Sequence, residues 1–344
     1  MGASTNTKDS NVTGLAYAEE TLGSPGVVSG GATWYPLEPN SYSDFGGNIK
    51  NVKREPINAS RQKRKGVVTA IDANAGFSHD FTSKTLYRLM KGFMFAAWRE
   101  KDNLAVSAVS GTQYTVASGG AAFTTTSILY GEGFTTAGNN GIKVPTAATG
   151  TTVSAPGLAV ETPPAGATIT RVGFQGASGD LVMTILGGVP TMTSTVLDFT
   201  TLGLIPGEWV FVGGDSALLA FVTTAANGFY RIKTIAAHSI VFDRWPSTPT
   251  ADAGATRTLQ VFIGHFIKNE ATTALQVFQT YQLERQIDAT DVEYIKGAGA
   301  NTMSINVKMA DKVTVDLGFV GLDTELLASP KAGTRATLAT NEVC

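Results

Sequence analysis

The sequence is short of charge. Only 16% of its 344 residues are Asp, Glu, Lys or Arg, against about 25% in an average globular protein. The 26 basic and 28 acidic residues nearly cancel, leaving a net charge of -2. A dedicated nucleic-acid binder needs a basic face and a high pI, and this composition argues against one. Cysteine is almost absent: the single Cys344 excludes a disulfide framework and a thiolate metal cluster. His79, His238 and His265 are too few and too scattered for a zinc site. No run reaches 18 apolar residues, so no membrane-spanning helix is expected. The opening MGASTNTKDSNVTG has no apolar core and does not read as a signal peptide. Synthesis in the cytosol is the expectation. No GxGxxG, P-loop, HExxH, GxSxG or calcium-loop pattern occurs.

Glycine and threonine are plentiful, at 38 and 45 residues, within a chain that is 43% hydrophobic with a mean hydropathy of +0.06. That is too apolar for a disordered tail. From 100 to 260, short apolar or alternating runs such as ATITRVGFQG (167–176), GEWVFVGG (207–214) and GFYRIKTI (228–235) are separated by turn signals about every ten residues: NNG, PPAG, GG, PG and NG. The pattern is that of an all-β module. GFTTAGNNGIKVPTAATGTTVSAPGLAVE (133–161) also echoes FVTTAANGFYRIKTIAAHSIVFDRW (221–245). The echo reads as a duplicated hairpin, as two halves of one small barrel, or as chance likeness between Thr-rich strands.

One segment departs from the β pattern. Between 82 and 98, Leu86, Leu89, Met90, Phe93, Met94 and Ala97 recur at spacings of three and four. They predict an amphipathic helix capped by Thr82 or Ser83. Upstream, GVVTAIDANAGFSHDFT (66–82) reads as strand, turn, strand, and Ile49 and Val52 suit a short strand.

The region 258–328 has the cleanest alternation. In DKVTVDLGF, Val313, Val315, Leu317 and Phe319 point one way. In QVFQTYQLERQI (276–287), by contrast, both faces are mostly polar, which suits a strand exposed to partners or lining an aqueous space. Gln279, Gln282, Glu284 and Arg285 are therefore candidate interface or lumen residues. The only dense basic run, RQKRKG (61–66), adds Arg61, Lys63, Arg64 and Lys65, as a solvated loop or as a contact to an acidic surface or a polyanion, a subunit–subunit salt network being as good a reading as DNA. No catalytic set emerges. His79 and Asp80 are adjacent and would point to opposite faces of an extended strand. The residues suggest a self-assembling structural protein, not an enzyme, with no cofactor and no metal.

Several segments, in this order, resemble the tail tube proteins (major tail proteins) of long-tailed double-stranded DNA bacteriophages. They are LAYAEETLGSPG (15–26), WYPLEPNSYSDFGGNIKNVKREPINASRQKRKG (34–66), GVVTAIDANAGFSHDFTSKTLYRLMKGFMFA (66–96) and QTYQLERQIDATDVEYIKGAGANTMSINVKMADKVTVDLGFVG (279–321). GEGFTTAGNNGIKV and DFTTLGLIPGEWVFVGG…NGFYRIKTI resemble the inserted β modules of longer members. The resemblance covers most of 15–328 and brings no catalytic residues.

It implies a mainly β fold, a β-sandwich or half-barrel with one flanking α-helix (about 82–98) and an inserted small all-β domain. The implied division is an N-terminal arm (1–32), a split tube domain (33–129 and 258–328), an insertion (130–257) and a flexible C-terminal tail (329–344). It further implies homohexameric rings stacked into a tube in the virion tail, assembled in the host bacterial cytoplasm. The implied partners are a tape measure protein, a tail terminator and distal tail or baseplate proteins, with genomic DNA passing through without tight binding. Other phage β proteins (decoration or distal tail proteins) and a carbohydrate-binding adhesion module are the alternatives. For the latter, Trp34, Trp98, Trp209 and Trp245 are the candidates.

Overall fold

A computed structural model describes residues 14–54, 64–82, 86–246, 248, 250–288 and 291–337. The chain divides into two units, one built from Met1–Trp98 with Ile267–Cys344 and the other from Arg99–Phe266.

In the first unit, strands β1 (Leu15–Glu19), β2 (Thr33–Leu37), β3 (Ser41–Arg54) and β4 (Arg64–Asp80) join five strands from the end of the chain. These are β18 (Thr280–Gln286), β19 (Val292–Asn306), β20 (Thr314–Gly321), β21 (Asp323–Leu327) and β22 (Thr334–Arg335). The intervening strands, β5 to β17, belong to the other unit. The sheet runs β22-β2-β1-β18-β19-β20-β4-β3, with β21 also on β19. Its pairs are antiparallel except β2 with β22. One face buries Tyr17, Phe77, Tyr281, Leu283, Leu317 and Phe319. A smaller cluster contains Ala18, Trp34, Val292 and Tyr294. The alternation in β20 is kept: Val315, Leu317 and Phe319 are buried while Asp316 and Val320 are exposed.

The expected fold class needs correction on two points. Both sheets are open and neither closes into a barrel; the first ends at β22 on one side and β3 on the other. The continuous helix expected over 82–98 is broken among the described residues: Leu86 is helical, 87–89 form a turn, and α1 (Met90–Met94) is five residues long. Its apolar spacing does serve packing, since Leu86 and Leu89 are buried in the core. The backbone is diverted by a buried tyrosine. Tyr281 Oη, on β18, accepts from Gly92 N–H at 3.0 Å and donates toward Arg88 O at 2.8 Å. Only a glycine allows this approach, because a Cβ on Gly92 would lie 2.8 Å from the Tyr281 ring. Phe95 then ends the helix in the left-handed region at φ 49°. The turn expected within 66–82 is also missing. Residues 73–80 pair with β20 on one edge and β3 on the other, and this pairing keeps β4 straight through DANAG.

The second unit is a tandem duplication. The first copy comprises β5 (Asn103–Val109), β6 (Gln113–Val116), β7 (Ser127–Glu132), β8 (Gly141–Lys143), β9 (Ala147–Ala148), β10 (Thr152–Ser154) and β11 (Thr168–Gln175). The second comprises β12 (Val182–Leu186), β13 (Val189–Thr193), β14 (Trp209–Val212), β15 (Gly228–Ala236), β16 (Ser239–Arg244) and β17 (Gln260–Phe262). The first pairs β5·β6, β6·β10, β10·β9, β7·β8 and β7·β11. The second repeats the scheme as β12·β13, β13·β16, β16·β15, β14·β15 and β14·β17, with the single strand β15 replacing β8 and β9. Each copy has its own core, and β11·β17 pairing joins them.

The sequence echo lies at one repeated turn. In the first copy, Asn140 Oδ1 accepts from Phe134 N–H at 3.1 Å and its Nδ2 donates to Phe134 O at 2.8 Å. In the second, Asn227 makes the same clasp on Phe221, at 2.9 and 3.0 Å. A buried tyrosine hydroxyl donates to the carbonyl just before each asparagine, Tyr114 to Asn139 and Tyr230 to Ala226. A carboxylate holds the preceding amides, Glu161 at Thr135 and Thr136, and Asp252 at Thr223. Gly141 and Gly228, both at positive φ, lead into the next strand.

Candidate assembly surface

The strand proposed as interface or lumen is β18, which lies between β1 and β19. Its polar side chains are consumed within the chain. Gln279 Nε2 donates to Glu20 O and Thr280 O, both at 2.9 Å. Gln282 Nε2 donates to Gly26 O at 3.0 Å, and its Oε1 accepts from Lys331 Nζ at 3.0 Å. Glu284 accepts from Tyr294 Oη at 2.6 Å and from Arg335 Nη2 at 2.8 Å. Burial and the bond to Glu284 push the Tyr294 phenol up to about 12. Arg285 pairs with Glu293 and lies 4.7 Å from the centre of the Phe45 ring. Gln279, Gln282 and Glu284 are buried. Polar residues appear on both faces because β18 is covered on both sides and Gln279, Gln282 and Glu284 find partners within the chain.

Of the basic run, Arg61 and Lys63 lie outside the described residues. Arg64 and Lys65 belong to β4, where Arg64 opposes Arg54 of β3. The three histidines are each tied to backbone. His79 Nδ1 donates to Asp80 O, His238 Nδ1 donates to Leu197 O, and His265 Nδ1 accepts from Lys101 N–H. No group of three or more His, Cys, Asp or Glu able to hold a metal occurs among the described residues. No described helix is long and apolar enough to cross a membrane.

A surface that the residue-by-residue reading missed lies at the outer end of β3 and β4. β4 leaves β20 at the Gly321–Ala73 pair and continues with β3 alone. From there the two strands form a ribbon, and residues 47–53 and 66–71 are all exposed. Register places Ile49 opposite Ile71 and Val52 opposite Val67. Side chains of directly opposed residues share a face, and the extra residue that β4 carries between the Lys50 and Asn51 pairs puts Ile49 and Ile71 on one face of the ribbon and Val52 and Val67 on the other. Ile49 and Val52 are 60% and 56% exposed. The face opposite Ile49 and Ile71 carries Asn48, Lys50 and Asp72, and Lys50 is ion-paired with Asp72. β3 ends the sheet, so its outer edge has no strand partner among the described residues. The signal in the sequence was a period of two over Ile71-Ala73-Ala75-Phe77-His79. DANAG concealed it by imitating a turn.

No known family model matches the chain, and no curated protein is significantly similar to it.

Proposed function

We propose that this chain is a structural subunit that assembles with its own copies into stacked hexameric rings, forming the tail tube of a long-tailed bacteriophage. In that role it is a virion protein and a conduit for genomic DNA, meeting a tape measure protein inside and terminator and distal tail proteins at the ends. The phage assignment rests on the ordered sequence resemblance. Self-assembly is carried by one observation, the β3–β4 ribbon. Exposed apolar pairs on both faces of the ribbon, Ile49 with Ile71 and Val52 with Val67, beside a strand edge unpaired among the described residues, are a costly surface for an isolated chain. A second copy offers what the ribbon needs, an apolar surface and a strand edge, and repeated copies give closed or stacked symmetry. Near-neutral charge suits a conduit, since few phosphates would be held as DNA passes.

Negative-stain electron microscopy of the purified protein tests the reading. Hollow filaments of stacked rings are expected, and Ile49→Lys with Val67→Lys should leave folded, unassembled subunits. Protein that stays monomeric at all concentrations, or filaments unaffected by the double substitution, would overturn it. Knobs or single rings would favour a decoration or distal tail protein.

A further inference from the structure

Sequence composition offered four tryptophans as possible glycan contacts, and the fold separates them. Trp34 is buried, Trp98 stacks on Tyr87 at 4.2 Å, and Trp245 packs against the core of the second copy. Trp209 stands on the outside of β14, 47% exposed.

It has aromatic company. Val210 and Val212 point into the core, so Trp209 and Phe211 face out. Register sets Phe229 of β15 opposite Phe211, and Phe262 of β17 opposite Phe211 on the other side. Phe229, 60% exposed, meets Phe211 edge-to-face at 5.0 Å. Three neighbouring strands thus present a row Phe229–Phe211–Phe262 with Trp209 beside it. Arg231, opposite Trp209, is held by Asp243 through Nε at 2.8 Å and Nη2 at 2.9 Å. The equivalent positions of the first copy hold Tyr130 and Ile142, also exposed.

We propose that Trp209, Phe211, Phe229 and Phe262, with the Arg231–Asp243 pair, form a stacking platform for pyranose rings of a glycan. A pyranose has an apolar C–H face that stacks on aromatic rings and a rim of hydroxyls that needs donors and acceptors. The row supplies the first and the Arg–Asp pair the second, with Nη1 of Arg231 outside the fork. The pair is neutral overall, which disfavours a polyanion. Trp209 and Phe229 together expose roughly 250 Å2, well below the about 800 Å2 per partner of a stable protein interface. The rings sit on paired strands, and aromatic side chains lose little rotamer freedom on binding. All of these residues lie in the Arg99–Phe266 unit, and the proposal is independent of the assembly reading.

The test uses the full chain with cellohexaose, maltohexaose and chitohexaose, read by saturation-transfer NMR and isothermal titration. At least one should bind saturably. Trp209→Ala and Phe229→Ala should each weaken it about tenfold, as expected for loss of one stacking partner, with an unchanged circular-dichroism melt. Tyr130→Ala, which leaves the row intact, should bind as the parent does. Failure of all three sugars to bind at millimolar concentration would overturn the proposal. So would equal binding by the Trp209 and Phe229 variants, or a change in oligomeric state in place of a change in binding.

Discussion

The two units lean on different buried polar bonds. In the unit containing both ends of the chain, the bonds span the sequence. Glu20 accepts from Thr280 Oγ1 at 2.6 Å and from Gly297 N–H at 2.8 Å, Tyr281 reaches Arg88 and Gly92, and Gln282 reaches Gly26. In the duplicated unit the asparagine clasps are local, Asn140 to Phe134 and Asn227 to Phe221, six residues apart, and they occur twice, beside one long-range buried pair, Lys101 with Glu208 at 2.8 Å. Local bonds can be copied with the segment that contains them. Long-range bonds depend on the whole sheet, so losing one should disturb distant strands together.

The largest test of this contrast is Tyr281→Ala. It removes a fully buried ring together with the hydroxyl that links Gly92 N–H to Arg88 O, at an expected cost of about 4 kcal/mol. Tyr281→Phe keeps the ring and should cost about 1–2 kcal/mol. Chemical denaturation gives both values, and hydrogen exchange should show loss of protection spreading from β18 into 86–94. Protection lost at β18 alone would count against the long-range view.

Glu284→Ala comes next, at about 3 kcal/mol, because it strands the Tyr294 hydroxyl and the Arg335 guanidinium together. In the duplicated unit, Asn140→Ala and Asn227→Ala should each cost about 2 kcal/mol through the loss of paired bonds to buried backbone. The two cores are separate, so the costs should add in the double variant. Strong non-additivity in a double-mutant cycle would mean that the copies are not independent.

The smallest effect is a pH dependence. Asp252 is desolvated, which alone would raise its pKa, but bonds from Thr223 and Gly254 outweigh this and hold it below the usual range. Asp180 behaves likewise, with Ser194, Thr195 and Val196 as its donors. A carboxylate with a lowered folded pKa adds stability that is present above the unfolded value of about 3.9. That stability is lost as pH falls through the lower folded value. Melting temperature should therefore drop below about pH 4, and Asp252→Asn should flatten that drop. An unchanged slope in the variant would remove Asp252 from the account.

Much of the β character was legible one residue at a time. Val315, Leu317 and Phe319 alternate with polar neighbours, and only one face of β20 is buried. The echo of FTTAGNNG and FVTTAANG was legible because each asparagine clasp closes within a few residues. The helix was overstated because a spacing of three and four records which side chains face the core, while hydrogen bonding from Tyr281 decides the backbone. That tyrosine is 189 residues from Gly92, beyond any local window. The polar faces of β18 misled for a related reason. Gln282 and Glu284 look like exposed residues until Lys331, Arg335 and Tyr294 are seen around them.

By itself the sequence determined what depends on near neighbours: strand alternation, turn chemistry, the repeated asparagine clasp and the low, balanced charge. Tertiary structure alone decided which polar residues are consumed inside and which apolar ones are left outside. Gln282 and Ile49 exchange the surroundings their polarity suggests, because burial is a property of the strands packed around a side chain. Those strands arrive from the opposite end of the chain in one case and fail to arrive in the other.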